Sequence, residues 1–366
     1  MRASSPMTLR RAAGQVLMVG LEGTQLSAVE TAWLRLLRPG ALILFRRNIE
    51  VAQQTHALLA EVKQAVDAPL LRCIDVEGGT VDRLRDLVAP MPPPFAVAAT
   101  GNPALFEKHG RLIGQELRLL GLNTPLAPVL DLRTASSEKV MTSRVVSGNP
   151  EEVISYARPF LKGLAQEGLV GCGKHFPGLG GGQVDSHHAT PLITKPFDLL
   201  WKEDLLPYRR LAKQLPMVTV SHAGYPASLS GSEPASVSRY WITEILTRRI
   251  GYPGLIVSDD MEMGGILTYM GIADAAVRSI AAGIHVVEIC RDPALVFAAY
   301  EALLREAESS PAFARLLRRA AAKVQAFHTR RLKRDALPPA PIGSAVTQMR
   351  TAVERFTEQV AKAGPA

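Results

Sequence analysis

Cysteine is scarce: the chain carries only Cys73, Cys172 and Cys290, far apart and without CxxC spacing, so no disulfide framework is written into it. Each thiol lies in an apolar, strand-like run and reads as a buried free cysteine of a reducing compartment. Long hydrophobic runs are missing too, and no stretch is long enough to span a membrane. The N-terminal "MRASSPMTLRRAAGQVLMVG" imitates a signal peptide, but its apolar part is short, is broken by Gln15 and lacks a small-residue cleavage site. It reads as a helix leading into a first strand.

Aromatic residues make up 5% and charged residues 21%, the composition of an ordinary globular protein rather than a disordered or fibrous one. With 366 residues and 47% hydrophobic content, the chain can bury a large core and needs neither disulfide nor metal to fold. The net charge is +8, but lysines and arginines are spread along the sequence instead of forming one stripe, which speaks against a nucleic-acid partner. The densest basic run, Thr329 to Arg334, precedes "DALPPAPIG" and reads as the solvated end of a helix beside a linker.

Short β-rich apolar runs alternate with longer stretches of helical periodicity, the pattern of repeated βα units around a parallel sheet. The runs begin at Gly14, Gly40, Pro69, Thr124, Val170, Met217, Gly254 and His285. Helices are expected over "NPALFEKHGRLIGQELRLLG", "NPEEVISYARPFLKGLAQEG" and "SRYWITEILTRRIG", opened by Asn-Pro or Ser and closed on glycine. The fold class expected is α/β, a single-domain (β/α)8 TIM-like barrel with a C-terminal helical extension. A doubly wound open sheet is the alternative. The expected divisions are a catalytic barrel over 1–330, a basic, Pro-rich linker over 331–343 and a terminal helix over 344–366.

In such a barrel the reacting groups come from the C-terminal ends of the strands, whose loops converge on one mouth. Polar residues gather there: Asp75 and Glu77 after the third strand, Asp131 after the fourth, Lys174 and His175 on the fifth, Ser221 and His222 on the sixth, Asp259 and Asp260 on the seventh. Any one of them could serve structure, but charge repeated at strand after strand is costly to bury unless paired or used. The segment "KHFPGLGGGQVDSHHATP" adds a glycine-rich loop carrying Asp185 and His187. It lacks the Lys-Ser or Lys-Thr of a P-loop and the GxGxxG spacing of a dinucleotide site. A carboxylate two residues from an imidazole can accept its proton, fix its tautomer and raise its basicity, so the loop reads as a carrier for proton transfer. The neighbouring His188 does not complete a metal-binding spacing, and no metal is expected.

Six motifs in order resemble family 3 glycoside hydrolases, in particular the single-domain bacterial β-N-acetylglucosaminidases of peptidoglycan recycling. They are "IDVEGGTVDRL" (Ile74 to Leu84), "LAPVLDL" (Leu126 to Leu132), Ser143-Arg144, "KHFPG" followed by "DSH" (Lys174 to His187), Ser221-His222 and "GYPGLIVSDDMEM" (Gly251 to Met263). The resemblance covers about residues 12 to 295. It implies a retaining double displacement with Asp259 as nucleophile, His187 as general acid/base and Asp185 as its partner. Sugar-binding positions fall on Asp75, Arg83, Arg144, Lys174 and His175. It further implies a cytoplasmic enzyme that needs no cofactor and takes a small saccharide or muropeptide; the sequence does not fix the oligomeric state, and a monomer is the expectation. Three positions depart from the family pattern: Val76 replaces a glutamine, Leu179 a histidine and His285 an aspartate.

Other readings of the same residues are a GlcNAc or glucoside phosphorylase, since a histidine acid/base does not repel incoming phosphate, a broader β-glycosidase, a metal-dependent barrel hydrolase and a non-catalytic sugar sensor.

Overall fold

A computed structural model describes residues 7–135, 141, 143–182, 189–332 and 336–364. Eight parallel strands occupy the eight expected runs: β1 (Leu17–Val19), β2 (Ala41–Leu44), β3 (Leu71–Ile74), β4 (Thr124–Pro125), β5 (Cys172–Phe176), β6 (Met217–Val220), β7 (Leu255–Asp260) and β8 (Val286–Ile289). Their order across the sheet is β4-β3-β2-β1-β8-β7-β6-β5. The two outermost strands then meet: Val129 bridges Lys174, Leu130 N–H donates to Lys174 O at 2.7 Å, and Cys172 N–H donates to Ala127 O at 2.7 Å. That closure makes a barrel and rules out the doubly wound open sheet.

The strands are mostly apolar because both of their faces are covered, with Lys174, His175, Asp259 and Asp260 at the C-terminal ends of β5 and β7. Met18, Ile43, Cys73, Cys172, Met217 and Val257 belong to the cluster inside the barrel, and all three cysteines are buried and free. Outside, helix α1 (Pro103–Leu120) packs on helix α2 (Pro150–Gln166). Each starts on an asparagine whose side chain accepts a backbone N–H of the first turn, followed by proline at the first helical position. The approach is close enough that a Cβ on Gly110 would sit 2.1 Å from Phe160 O.

Helix α3 (Pro311–Arg331) covers the N-terminal end of the barrel, where Val324 and Phe327 join the interior cluster. The Pro-rich segment after it lies on the outer helices, with His56 Nε2–H donating to Pro338 O at 2.8 Å. Helix α4 (Gly343–Ala363) then runs over α1, its Phe356 ring 5.7 Å from that of the buried His109. The segment Tyr240–Arg249, expected as an ordinary helix, winds as a π-helix. Among the described residues no helix is long and apolar enough to cross a membrane.

Candidate active site

The C-terminal ends of β3 and β5 bring a compact group of charges together. Lys174 Nζ on β5 lies 2.7 Å from Asp75 Oδ1 and 2.6 Å from Glu77 Oε1. Arg144 closes a fork on Glu77, with Nε to Oε2 and Nη2 to Oε1 both at 2.8 Å, the bidentate geometry that suits guanidinium and carboxylate. Arg83 approaches Asp75 Oδ2 at 3.6 Å from the more open side. Glu77 reaches this position from a tight hairpin: Gly78 and Gly79 have φ of +97° and +66°, and a Cβ on Gly78 would meet Pro92 O at 2.4 Å.

Burial alone would raise both carboxyl pKa values, but the cations win. Lys174 and Arg83 hold Asp75 far below the usual carboxylate range. Arg144 and Lys174 bring Glu77 down to about 2. Reciprocally, burial would weaken the Lys174 ammonium, while Asp75 and Glu77 lift its pKa above the ordinary lysine value. The cluster is therefore fully ionised at neutral pH. Glu77 is saturated by Lys174 and Arg144, whereas Asp75 keeps more exposure, with 16% of its side-chain surface open.

His175 continues the chain of contacts. Its Nδ1 is 2.7 Å from Asp131 Oδ2, and Arg144 Nη2 stands 3.3 Å from its Nε2. Because a guanidinium can only donate, Nε2 accepts, so the proton sits on Nδ1 and points at the carboxylate. Asp131 also accepts the backbone N–H groups of His175 at 3.2 Å and Leu179 at 2.7 Å. The backbone of Leu179 serves the site, while its side chain packs on the core. Val76, the other change in this region, is fully buried.

Asp259 lies at the end of β7 and is partly exposed at the mouth. Its Oδ1 accepts the N–H of Asp260 at 3.1 Å. His222 fixes this strand end: its Nε2 is 2.9 Å from Asp260 O and its Nδ1 is 2.7 Å from Ser236 Oγ. A carbonyl only accepts, so Nε2–H donates there and Nδ1 takes the serine hydroxyl proton. Burial lowers the His222 pKa against the opposing pull of Asp259, leaving the ring neutral. Burial raises Asp260 to about 7, with Glu262 and Asp259 adding to the shift.

Beneath these groups lies Glu288 on β8, opposite Asp260 in the strand register and only 4% exposed. Cys290 Sγ lies 3.1 Å from its Oε1, and Oε2 has no partner among the described residues. Burial, then the charges of Asp260 and Asp259, push its pKa well above the glutamate value, so it is a neutral acid under the floor of the site. His285, by contrast, immediately precedes β8 at the opposite end of the barrel, where its Nδ1 accepts the N–H of Ile256 at 3.0 Å.

Asp185 and His187 lie outside the described residues. The flanks of their loop are described. Thr134 Oγ1–H donates to Gly180 O on the β4 side, and Thr190 Oγ1–H donates to Gly265 O at 2.7 Å on the β7 side. The described flanks are thus anchored apart, Gly180 on Thr134 and Thr190 on the segment that follows Asp259. Among the described residues no group of three or more His, Cys, Asp or Glu could hold a metal ion.

Residues 8–326 match the family described as Glycosyl hydrolase family 3 N terminal domain. The chain belongs to glycoside hydrolase family 3. This family 3 chain is 37% identical over 290 residues to a beta-hexosaminidase of Pseudomonas aeruginosa, covering 79% of this chain and 86% of the relative. It is 35% identical over 325 residues to a beta-hexosaminidase of Chromobacterium violaceum, covering 86% and 89%. The solved family 3 beta-N-acetylglucosaminidase of Paenibacillus sp. str. FPU-7 superposes with a TM-score of 0.90 at 31% identity, over 96% of this chain and 69% of that one.

Of the positions expected to hold sugar, Asp75, Arg83, Arg144, Lys174 and His175 stand in one connected network, with Asp259 at the end of β7, two strands on from β5. Sequence reasoning placed Glu77, Asp131 and His222 at the barrel mouth without a specific role, and read Glu288 first as structural. The first three were visible as polar residues at strand ends; Glu288 was visible only as a charge inside an apolar strand.

Proposed function

We propose that this family 3 glycoside hydrolase, a β-N-acetylhexosaminidase, is a retaining enzyme that removes non-reducing terminal GlcNAc from muropeptide-derived saccharides in the cytoplasm. The carboxylate of Asp259 attacks the anomeric carbon, and the glycosidic oxygen departs with a proton from His187. A glycosyl-aspartate results. His187 then takes a proton from water as that water attacks the same carbon, restoring free Asp259 with the original anomeric configuration. Asp185 orients the imidazole and stabilises its charged form. Asp75, Arg83, Arg144, Lys174 and His175 hold the sugar hydroxyls.

One observation carries this reading: an ionised Asp75–Lys174–Glu77–Arg144 cluster and Asp259 sit at the C-terminal ends of different strands of one closed barrel. A rigid group that hydrogen-bonds hydroxyls beside a separate carboxylate is the arrangement a glycosidase needs. The name of the solved Paenibacillus relative supports the GlcNAc specificity, the other two names support the hexosaminidase class, and the anchoring of Thr190 on Gly265 supports delivery of His187 to the Asp259 side. Catalysis is proposed to reside in residues 1–330, with 331–343 as a linker and 344–366 as a terminal segment outside the chemistry.

The test is hydrolysis of an aryl β-GlcNAc glycoside with and without phosphate at fixed ionic strength. The proposal expects free GlcNAc at a rate that ignores phosphate. GlcNAc 1-phosphate as the product would replace hydrolysis by phosphorolysis.

A further inference from the structure

One segment of the chain is strongly basic and free of acidic residues. Between Pro311 and Arg334 the sequence holds eight lysines and arginines and no aspartate or glutamate, which equals the net charge of +8 and leaves the remainder balanced. Most of that segment is α3, the helix over the N-terminal end of the barrel, on the opposite side from Asp259. Where α3 meets the starts of β7 and β8 there is a cavity of about 270 Å³, lined by Thr247, Tyr252, His285, Arg319 and Lys323 among others, and no carboxylate lines it.

We propose that this cavity binds an oxyanion of the phosphate class. Three donors converge there. Arg319 and Lys323 are four residues apart on α3, so both point to one side, and like charges at that spacing repel. Neither makes an ion pair among the described residues, and Lys323 spends one N–H on Pro253 O at 2.7 Å. His285 is the third. Its Nδ1 accepts the Ile256 N–H, so its proton is fixed on Nε2 and that N–H is a donor.

The hydroxyls of Thr247 and Tyr252 already donate to Ile242 O at 2.8 Å and Leu215 O at 3.2 Å, so the donors left for the anion are those of Arg319, Lys323 and His285. The electrostatics agree with the geometry. Burial, then Lys323 and Arg319, lower His285 to about 3, and burial, then Arg330 and Arg319, lower Lys323. These groups press on one another without an anion, and a bound dianion would relieve all of them. The volume admits inorganic phosphate or the phosphate end of a small ester.

The probe is inorganic phosphate titrated calorimetrically into the full chain, with chloride holding ionic strength constant, and then a sugar phosphate in the same way. One phosphate site is expected, weakened at least tenfold by Arg319→Ala and by Lys323→Ala, with hydrolysis of the aryl GlcNAc glycoside unchanged in both variants. Preference for the sugar phosphate would name an ester as the ligand; equal or weaker binding would name the free ion. Heat no different from the chloride control would overturn the proposal. So would binding that survives Arg319→Ala/Lys323→Ala but disappears in Arg144→Ala, since phosphate would then occupy the mouth. Because the calorimetry reads binding at the floor and the glycosidase assay reads chemistry at the mouth, either claim can fail alone.

Discussion

Lys174 Nζ rests 2.6 Å from Glu77 Oε1, an ion pair in which neither side chain has more than 5% of its surface exposed. Such a pair adds little compared with an apolar replacement of both members, but removing one member strands the other. Glu77→Ala takes from Arg144 its bidentate partner and leaves Lys174 with Asp75 alone. The expected cost is about 3–5 kcal/mol of folding stability, read from urea unfolding, with Glu77→Gln closer to the parent. A loss below about 1 kcal/mol would show that the pair is solvated and not part of a rigid site.

Asp75 differs from Glu77 in keeping an open face. Loss of its charged hydrogen bonds to a sugar should lower kcat/KM by about 100-fold in Asp75→Ala. Because Glu77 still holds Lys174, the melting temperature should fall less than for Glu77→Ala. The reverse ranking, a large stability loss with kcat/KM intact, would make Asp75 a structural residue.

Glu288 links pH to stability. Its folded pKa is raised, so above the ordinary glutamate value of 4.5 the unfolded chain releases a proton that the folded chain retains. Stability from this group is complete below that value and declines as pH rises toward the folded pKa, by up to about 1.4 kcal/mol per pH unit. Glu288→Gln removes that dependence. The variant should therefore gain on the parent as pH is raised above the ordinary glutamate value, because the folded chain holds a proton that the unfolded chain has lost. A constant difference across the range would mean that Glu288 ionises normally.

His187→Ala should slow natural saccharides far more than aryl glycosides with acidic leaving groups, because the latter depart with little protonation. General acid catalysis is commonly worth about 10²–10⁴-fold, and that range is the expected gap between the two substrates. Equal loss on both would remove His187 from the acid/base role.

The barrel was legible because each strand is a short apolar run with its polar residues at one end, a pattern fixed by burial on both faces. The pairings were not. Glu77 with Arg144, Asp131 with His175 and His222 with Asp260 O join residues 38 to 67 positions apart: the first and last pairs depend on which strands lie side by side, and the second on closure of the barrel between β4 and β5. His285 and Glu288 look alike in the sequence as polar residues on one strand. The strand direction separates them, one at the floor and one under the mouth. The expected helix at Tyr240–Arg249 has helical periodicity, but the Thr247 hydroxyl bonds Ile242 O five residues back at 2.8 Å, and the segment winds wider than sequence periodicity foretells.

The identity of the nucleophile is the central claim, and covalent trapping addresses it directly. Incubation with a 2-acetamido-5-fluoro glycoside, digestion and peptide mass mapping should place one sugar on the peptide containing Asp259, with fragmentation assigning it to Asp259 and none forming in Asp259→Ala. A label on Asp260, on Glu288 or on any residue that persists in Asp259→Ala would contradict the account.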